Sequence, residues 1–64
     1  MKKYYVVVTT FDDRGRVVTN IVDTIKAKTK PELQCRSTRN ADIYTDYFET
    51  LEEAKKFVEE TRLA

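Results

Sequence analysis

The amino-acid sequence predicts an α+β fold: a three-stranded antiparallel-type sheet with one C-terminal helix packed on one face. Two β-rich segments flank an Asp-Asp-Arg-Gly turn, and the chain ends in an amphipathic segment that begins with a capping motif. At 64 residues there is room for one small domain, 1–64, and only a small core. The expected elements are a hairpin over residues 4–25, a long loop over 26–41, a strand over 42–48 and a helix over 50–62.

The hairpin prediction depends on the turn at residues 12–15. Aspartate is favoured at the first position of a type I turn, and Gly15 can adopt a positive φ without a clash at Cβ. If Asp12 opposes Arg16, paired residue numbers sum to 28 throughout the hairpin. One face then carries a mainly apolar set, namely Tyr5, Val7, Phe11, Val17, Ile21 and Ile25.

The other face of the hairpin is also apolar, although Thr10, Asn20 and Thr24 dilute it. A strand with one solvated face normally alternates cleanly between apolar and polar residues, and the first strand does not. One helix can cover only one face. The apolar residues of the uncovered face are therefore the candidate protein interface: Tyr4, Val6, Val8, Val18 and Val22.

The segment 26–41 lacks the apolar periodicity of a helix or a long strand. The Thr29–Glu32 spacing permits one helical turn through Leu33 and Cys35, whereas the alternation of Leu33, Cys35 and Ser37 would suit an edge strand. The pattern favours a mostly irregular loop with at most one turn of helix.

The last helix has the clearest signals. Thr50 and Glu53 form a capping box, acidic residues occupy the first turn and Arg62 lies in the last. Five residues share one helical face, which we expect to lie on the sheet: Leu51, Ala54, Phe57, Val58 and Thr61.

Several catalytic chemistries lack the residues they need. The chain has no histidine, one cysteine and one glycine, which excludes Ser-His and Cys-His pairs, histidine-bearing and Cys₄ zinc sites, and a glycine-rich phosphate loop. The carboxylates at Asp12 and Asp13 suit a turn, and those at Asp42 and Asp46 suit a strand margin. The composition predicts a non-enzymatic protein without a cofactor or metal.

The net charge of +1 is the sum of a basic part and an acidic part of the chain. Residues 14–39 hold seven basic and two acidic side chains, a surplus of five, whereas residues 40–64 hold three basic and seven acidic, a deficit of four. Five cations within the basic segment 26–39 are candidate phosphate contacts for nucleic acid: Lys26, Lys28, Lys30, Arg36 and Arg39. Tyr44 or Tyr47 could stack on bases behind them. The near-neutral total favours the alternative, in which the segment is solvated and balances the acidic helix.

The cysteine content and the short apolar run Tyr4–Val8 predict a cytoplasmic protein without a signal peptide or bilayer-spanning segment. The C-terminal sequence YFETLEEAKKFVEE resembles those of many short accessory proteins of bacteria and their mobile elements. Because this helix start also occurs in unrelated proteins, it implies no particular activity. The sequence predicts a protein-interaction domain that forms a homodimer or binds another protein through the uncovered sheet face, with nucleic-acid binding as the alternative.

Overall fold

The computed structural model describes residues 1–63 and shows a four-stranded antiparallel sheet with a C-terminal helix on one face. In chain order the elements are β1 (Lys2–Asp12), β2 (Val17–Ala27), β3 (Gln34–Ser37), β4 (Ala41–Phe48) and α1 (Leu51–Leu63). Across the sheet the strand order is β2-β1-β4-β3, so β1 and β4 are central and β2 and β3 are the edges. The α+β class, the antiparallel sheet and the C-terminal helix are as the sequence predicts.

The prediction of three strands is wrong, and the error lies in the segment 26–41. Residues 26 and 27 still belong to β2, and residues 34–37 form the fourth strand, which pairs with β4 from Gln34↔Thr45 to Ser37↔Asp42. The edge-strand alternative was the correct one. The sequence of this segment is too polar to predict a strand. Its strand conformation comes from pairing with β4, which is distant in the sequence.

The turn between β1 and β2 adopts the geometry that its residues predict. The carboxylate of Asp12 accepts hydrogen bonds from the backbone N–H groups of Arg14 (2.9 Å) and Arg16 (2.7 Å). Gly15 has a φ of 81°, and its N–H donates to the Asp12 carbonyl at 3.1 Å. The Asp12 side chain therefore holds the turn together, and Gly15 supplies the positive φ.

A β-bulge in β2 divides the hairpin into two registers. From Val7↔Ile21 to Phe11↔Val17 the paired numbers sum to 28 as expected, but from Lys2↔Ala27 to Val6↔Asp23 they sum to 29. Val22 is the extra residue. Because a one-residue shift moves each later side chain to the opposite face, the expected placement of Ile25 on the helix side is wrong.

Residues 28–33 connect the two edge strands and therefore pass both central strands. Ala27 lies in the row of Lys2 and Gln34 in the row of Val8, so the connection crosses about 14 Å of sheet and also runs about 20 Å along the strands. The resulting span of about 24 Å is close to the limit for seven extended residue steps. The ammonium of Lys30 lies 5.9 Å from the ring centroid of Phe48, which places this crossing beside the end of β4.

Helix α1 begins at the cap that the sequence predicts and covers the face of the sheet that carries Val7 and Thr9. The Thr50 hydroxyl accepts a hydrogen bond from the Glu53 backbone N–H at 3.1 Å. The helix approaches β2 more extensively than it approaches β1 or β4. Between the helix and the sheet, Val7, Thr9, Thr19 and the helix residue Ala54 are buried, and the rings of Phe48 and Phe57 are in contact at a tilt of 41°, with centroids 5.1 Å apart.

Candidate interaction face

The sheet has a second face, opposite α1, on which none of the elements within residues 1–63 packs. We call it the open face and define it by the strand register, to which we add the bulge residue Val22 because it opposes Val6 together with Asp23. The face then carries fourteen side chains: Tyr4, Val6, Val8 and Thr10 of β1; Val18, Asn20, Val22, Asp23 and Ile25 of β2; Gln34 and Arg36 of β3; and Ile43, Thr45 and Tyr47 of β4. Eight of the fourteen are aliphatic or tyrosine, so the face is apolar over most of its width.

The five residues predicted as an interface all lie on the open face, but they are not equally accessible. Tyr4 and Val6 are already buried within the single chain, at 1% and 8% exposed. Val8 is half-buried. Val18 and Val22 on the edge strand are 47% and 57% exposed. A partner would therefore gain new apolar contact from Val8, Val18 and Val22 rather than from the first two.

Sequence reasoning missed the part of the open face that β4 contributes. Ile43 pairs with Thr10 and Tyr47 pairs with Val6, and both side chains are half-buried. The bulge adds Ile25, which pairs with Tyr4. The alternation of Ile43, Thr45 and Tyr47 was visible in the sequence, but which face they share with β1 is set by a long-range register.

The two edges of the sheet are poor sites for adding another strand. The Arg62 guanidinium donates to the Thr19 carbonyl at 3.4 Å and to Asn20 Oδ1 at 3.3 Å, so it covers part of the β2 edge. The bulge interrupts the same edge further along, where the Asp23 carboxylate accepts the Thr24 N–H at 2.7 Å. At the other edge, β3 has only four residues. Natural sheets use such features to prevent edge-to-edge pairing.

The five cations proposed as phosphate contacts are all exposed but are spread over the molecule. Lys26 pairs with Lys3 at one end of the hairpin, and Lys28 and Lys30 lie in the adjoining crossing. Arg36 is on the open face, whereas Arg39 is in the β3–β4 turn at the other end of the sheet. Nine residue steps of about 3.3 Å separate the two ends, so the five cations do not form one patch.

A shallow groove lies on the helix side, between α1 and the β4 half of the sheet. Its lining includes Phe11 and Tyr44, whose rings meet edge to face at 5.5 Å, and the carboxylate of Asp46. Burial raises the pKa of Asp46, and the opposite charge of Lys30 partly offsets that effect. A hydrogen bond with the Cys35 thiol is the main cause of a raised pKa of Tyr44.

Cys35 and its chain neighbour Arg36 lie on opposite faces of the sheet. Cys35 is exposed and pairs with Tyr44 on the helix side. Arg36 pairs with Ile43, so its side chain is on the open face, away from the thiol.

Across residues 1–63, no three histidine, cysteine, aspartate or glutamate side chains are grouped so that they could hold a metal ion. The same residues contain no helix with the length and apolar character needed to cross a bilayer. Comparison with protein-family models, curated proteins and solved structures finds no match for the chain.

Proposed function

We propose that this chain is a non-catalytic interaction domain that associates with a second copy of itself through the open face. The observation that carries the proposal is its surface area. A folded monomer of 7.5 kDa is expected to expose about 4,250 Å². This chain exposes 5032 Å², about 780 Å² more, which is close to the roughly 800 Å² that each partner buries in an interface of standard size.

The small core supports the same proposal. The buried apolar side chains described in residues 1–63 are Tyr4, Val6, Val7 and Ala54. The radius of gyration is 12.2 Å, against about 10.7 Å for a compact domain of this length, because the molecule is flat with a shortest extent of 14 Å. A second copy stacked on the open face would bury Val8, Val18 and Ile43 and so provide the additional core that small domains commonly need.

Sedimentation velocity tests the proposal directly. We expect dimers to form as the concentration rises from about 1 μM to about 500 μM, because interfaces of this size have dissociation constants of about micromolar or below. Val18→Asp should raise the dissociation constant by more than about tenfold, because it would place an unpaired carboxylate against apolar side chains. Thr24→Asp is the matched control, since it adds the same charge to an exposed position of β2 on the helix side.

Two results would contradict self-association through this face. The first is a wild-type protein that stays monomeric over the whole concentration range. The second is a dimer that Val18→Asp and Thr24→Asp weaken equally, which would place the contact somewhere other than the open face. In both variants circular dichroism should show an unchanged fold, because both positions are exposed.

A further inference from the structure

The open face carries two charges of opposite sign, at opposite corners. Among its residues between the Tyr4 row and the Thr10 row, Asp23 is the one acidic residue and Arg36 the one basic residue. Asp23 lies on edge strand β2 in the row of Val6, and Arg36 lies on edge strand β3 in the row of Thr10. Both are exposed.

These two side chains cannot pair within one chain. Three strand spacings, about 14 Å, separate β2 from β3, and four residue steps, about 13 Å, separate the two rows. The distance across the diagonal is therefore about 19 Å, far beyond the reach of an ion pair.

A two-fold axis through the centre of the open face exchanges these corners. In an isologous contact, if residue i meets residue j of the partner, then j also meets i. Asp23 and Arg36 occupy two opposite corners of a patch that measures about 14 Å by about 13 Å. A two-fold axis that lies parallel to the sheet, along the diagonal joining the other two corners, brings Asp23 of each copy opposite Arg36 of its partner, at two symmetric places. The same rotation turns the strands of one sheet by about 90° relative to the other, which is one of the two standard geometries for stacked sheets.

We infer that the open face is a self-recognition surface, on which two copies stack with nearly perpendicular strands and Asp23 pairs with Arg36 of the partner at two symmetric positions. This rests on the proposed function, since it specifies the geometry of that association. The apolar side chains at the centre supply most of the contact. The two ion pairs at the rim favour this orientation: an axis along the diagonal that joins Asp23 to Arg36 would place like charges opposite each other, and axes along or across the strands would leave both charges without a partner.

The inference predicts a specific pattern among charge-reversal variants. Asp23→Arg places two arginines opposite each other at both contacts, and Arg36→Asp places two aspartates there. Each variant alone should raise the dissociation constant by about tenfold or more at low ionic strength, and less in high salt. An equimolar mixture of the two should form a heterodimer, since every contact then joins opposite charges. The double variant should recover association alone.

Sedimentation velocity of the two single variants, their mixture and the double variant provides the test. Recovery in both the mixture and the double variant supports the inference. Persistence of the dimer in the single variants would overturn this geometry while leaving self-association intact, and so would loss of association without recovery in the mixture. A monomeric wild-type protein would instead refute the proposed function. Asp13→Arg, an exposed reversal in the hairpin turn, is the matched control.

Discussion

The hydrogen bond between the hydroxyl groups of Thr9 and Thr19 can be tested for its contribution to the stability of the core. Both residues are buried under α1, at opposite positions of β1 and β2, and their Oγ1 atoms lie 3.0 Å apart. Replacing one threonine with valine preserves shape but leaves the other hydroxyl buried without this partner. We expect each single variant to lose about 1–3 kcal/mol, because the remaining hydroxyl bears its desolvation cost. Replacing both should be nearly neutral.

That loss would be large for this protein. A 64-residue domain has a total stability of roughly 3–10 kcal/mol, and 1 kcal/mol shifts the melting temperature by about 4–8 °C. Thermal unfolding of the wild type, the two single variants and the double variant completes a double-mutant cycle. All four must be measured at one protein concentration, because self-association would raise the melting temperature. Thr24→Val, at an exposed position, is the control.

A double variant that loses as much as the two single variants together would refute this reasoning. It would mean that the two hydroxyls do not act as a pair. Each would then stabilise the fold through separate contacts.

Three further predictions follow from the cap, the groove and the charges. Thr50→Ala should cost about 1 kcal/mol of stability through the lost helix cap. Phe57→Ala should cost about 2–3 kcal/mol, which is below the range for a fully buried phenylalanine because Phe57 is half-buried. Urea melts measure both losses, and equal losses would contradict the placement of Phe57 against the sheet. Asp46→Asn should stabilise the protein at neutral pH. The pKa of Asp46 in the folded state lies above the unfolded value of about 3.9, so the wild-type protein loses stability as the pH rises through the folded pKa. The advantage of the variant should therefore disappear in melts at lower pH, where Asp46 is protonated in both states. Titrations with DNA or RNA at low salt should show no steeply salt-dependent affinity, because the cations of the basic segment 26–39 are dispersed; a steep slope would restore the nucleic-acid alternative.

Local signals in the sequence were sufficient for the hairpin turn and for the helix. Asp12, Gly15 and Thr50 act through hydrogen bonds or dihedral angles within a few residues of themselves, so their roles could be predicted without knowing the rest of the fold.

The features that the sequence did not reveal depend on distant partners. β3 is exposed along its whole length and has no apolar stripe, so only its pairing with β4 identifies it as a strand. The bulge at Val22 moves Ile25 to the open face without any glycine or proline to mark it. Because Arg36 and Asp23 reach the open face through these two features, their relation across the sheet could not be foreseen.

The position of β1 between β2 and β4 has a consequence for the order of folding. Its pairing with β2 closes a short turn, whereas its pairing with β4 joins residues that are 29 positions apart at Asp12↔Ala41 and 43 apart at Tyr5↔Phe48. Closing those larger loops costs more chain entropy, which favours a transition state built on the hairpin, with β4 adding afterwards. Destabilising substitutions in the hairpin should therefore slow folding, and those in β3 should mainly speed unfolding, a division that stopped-flow measurements of both rates would reveal.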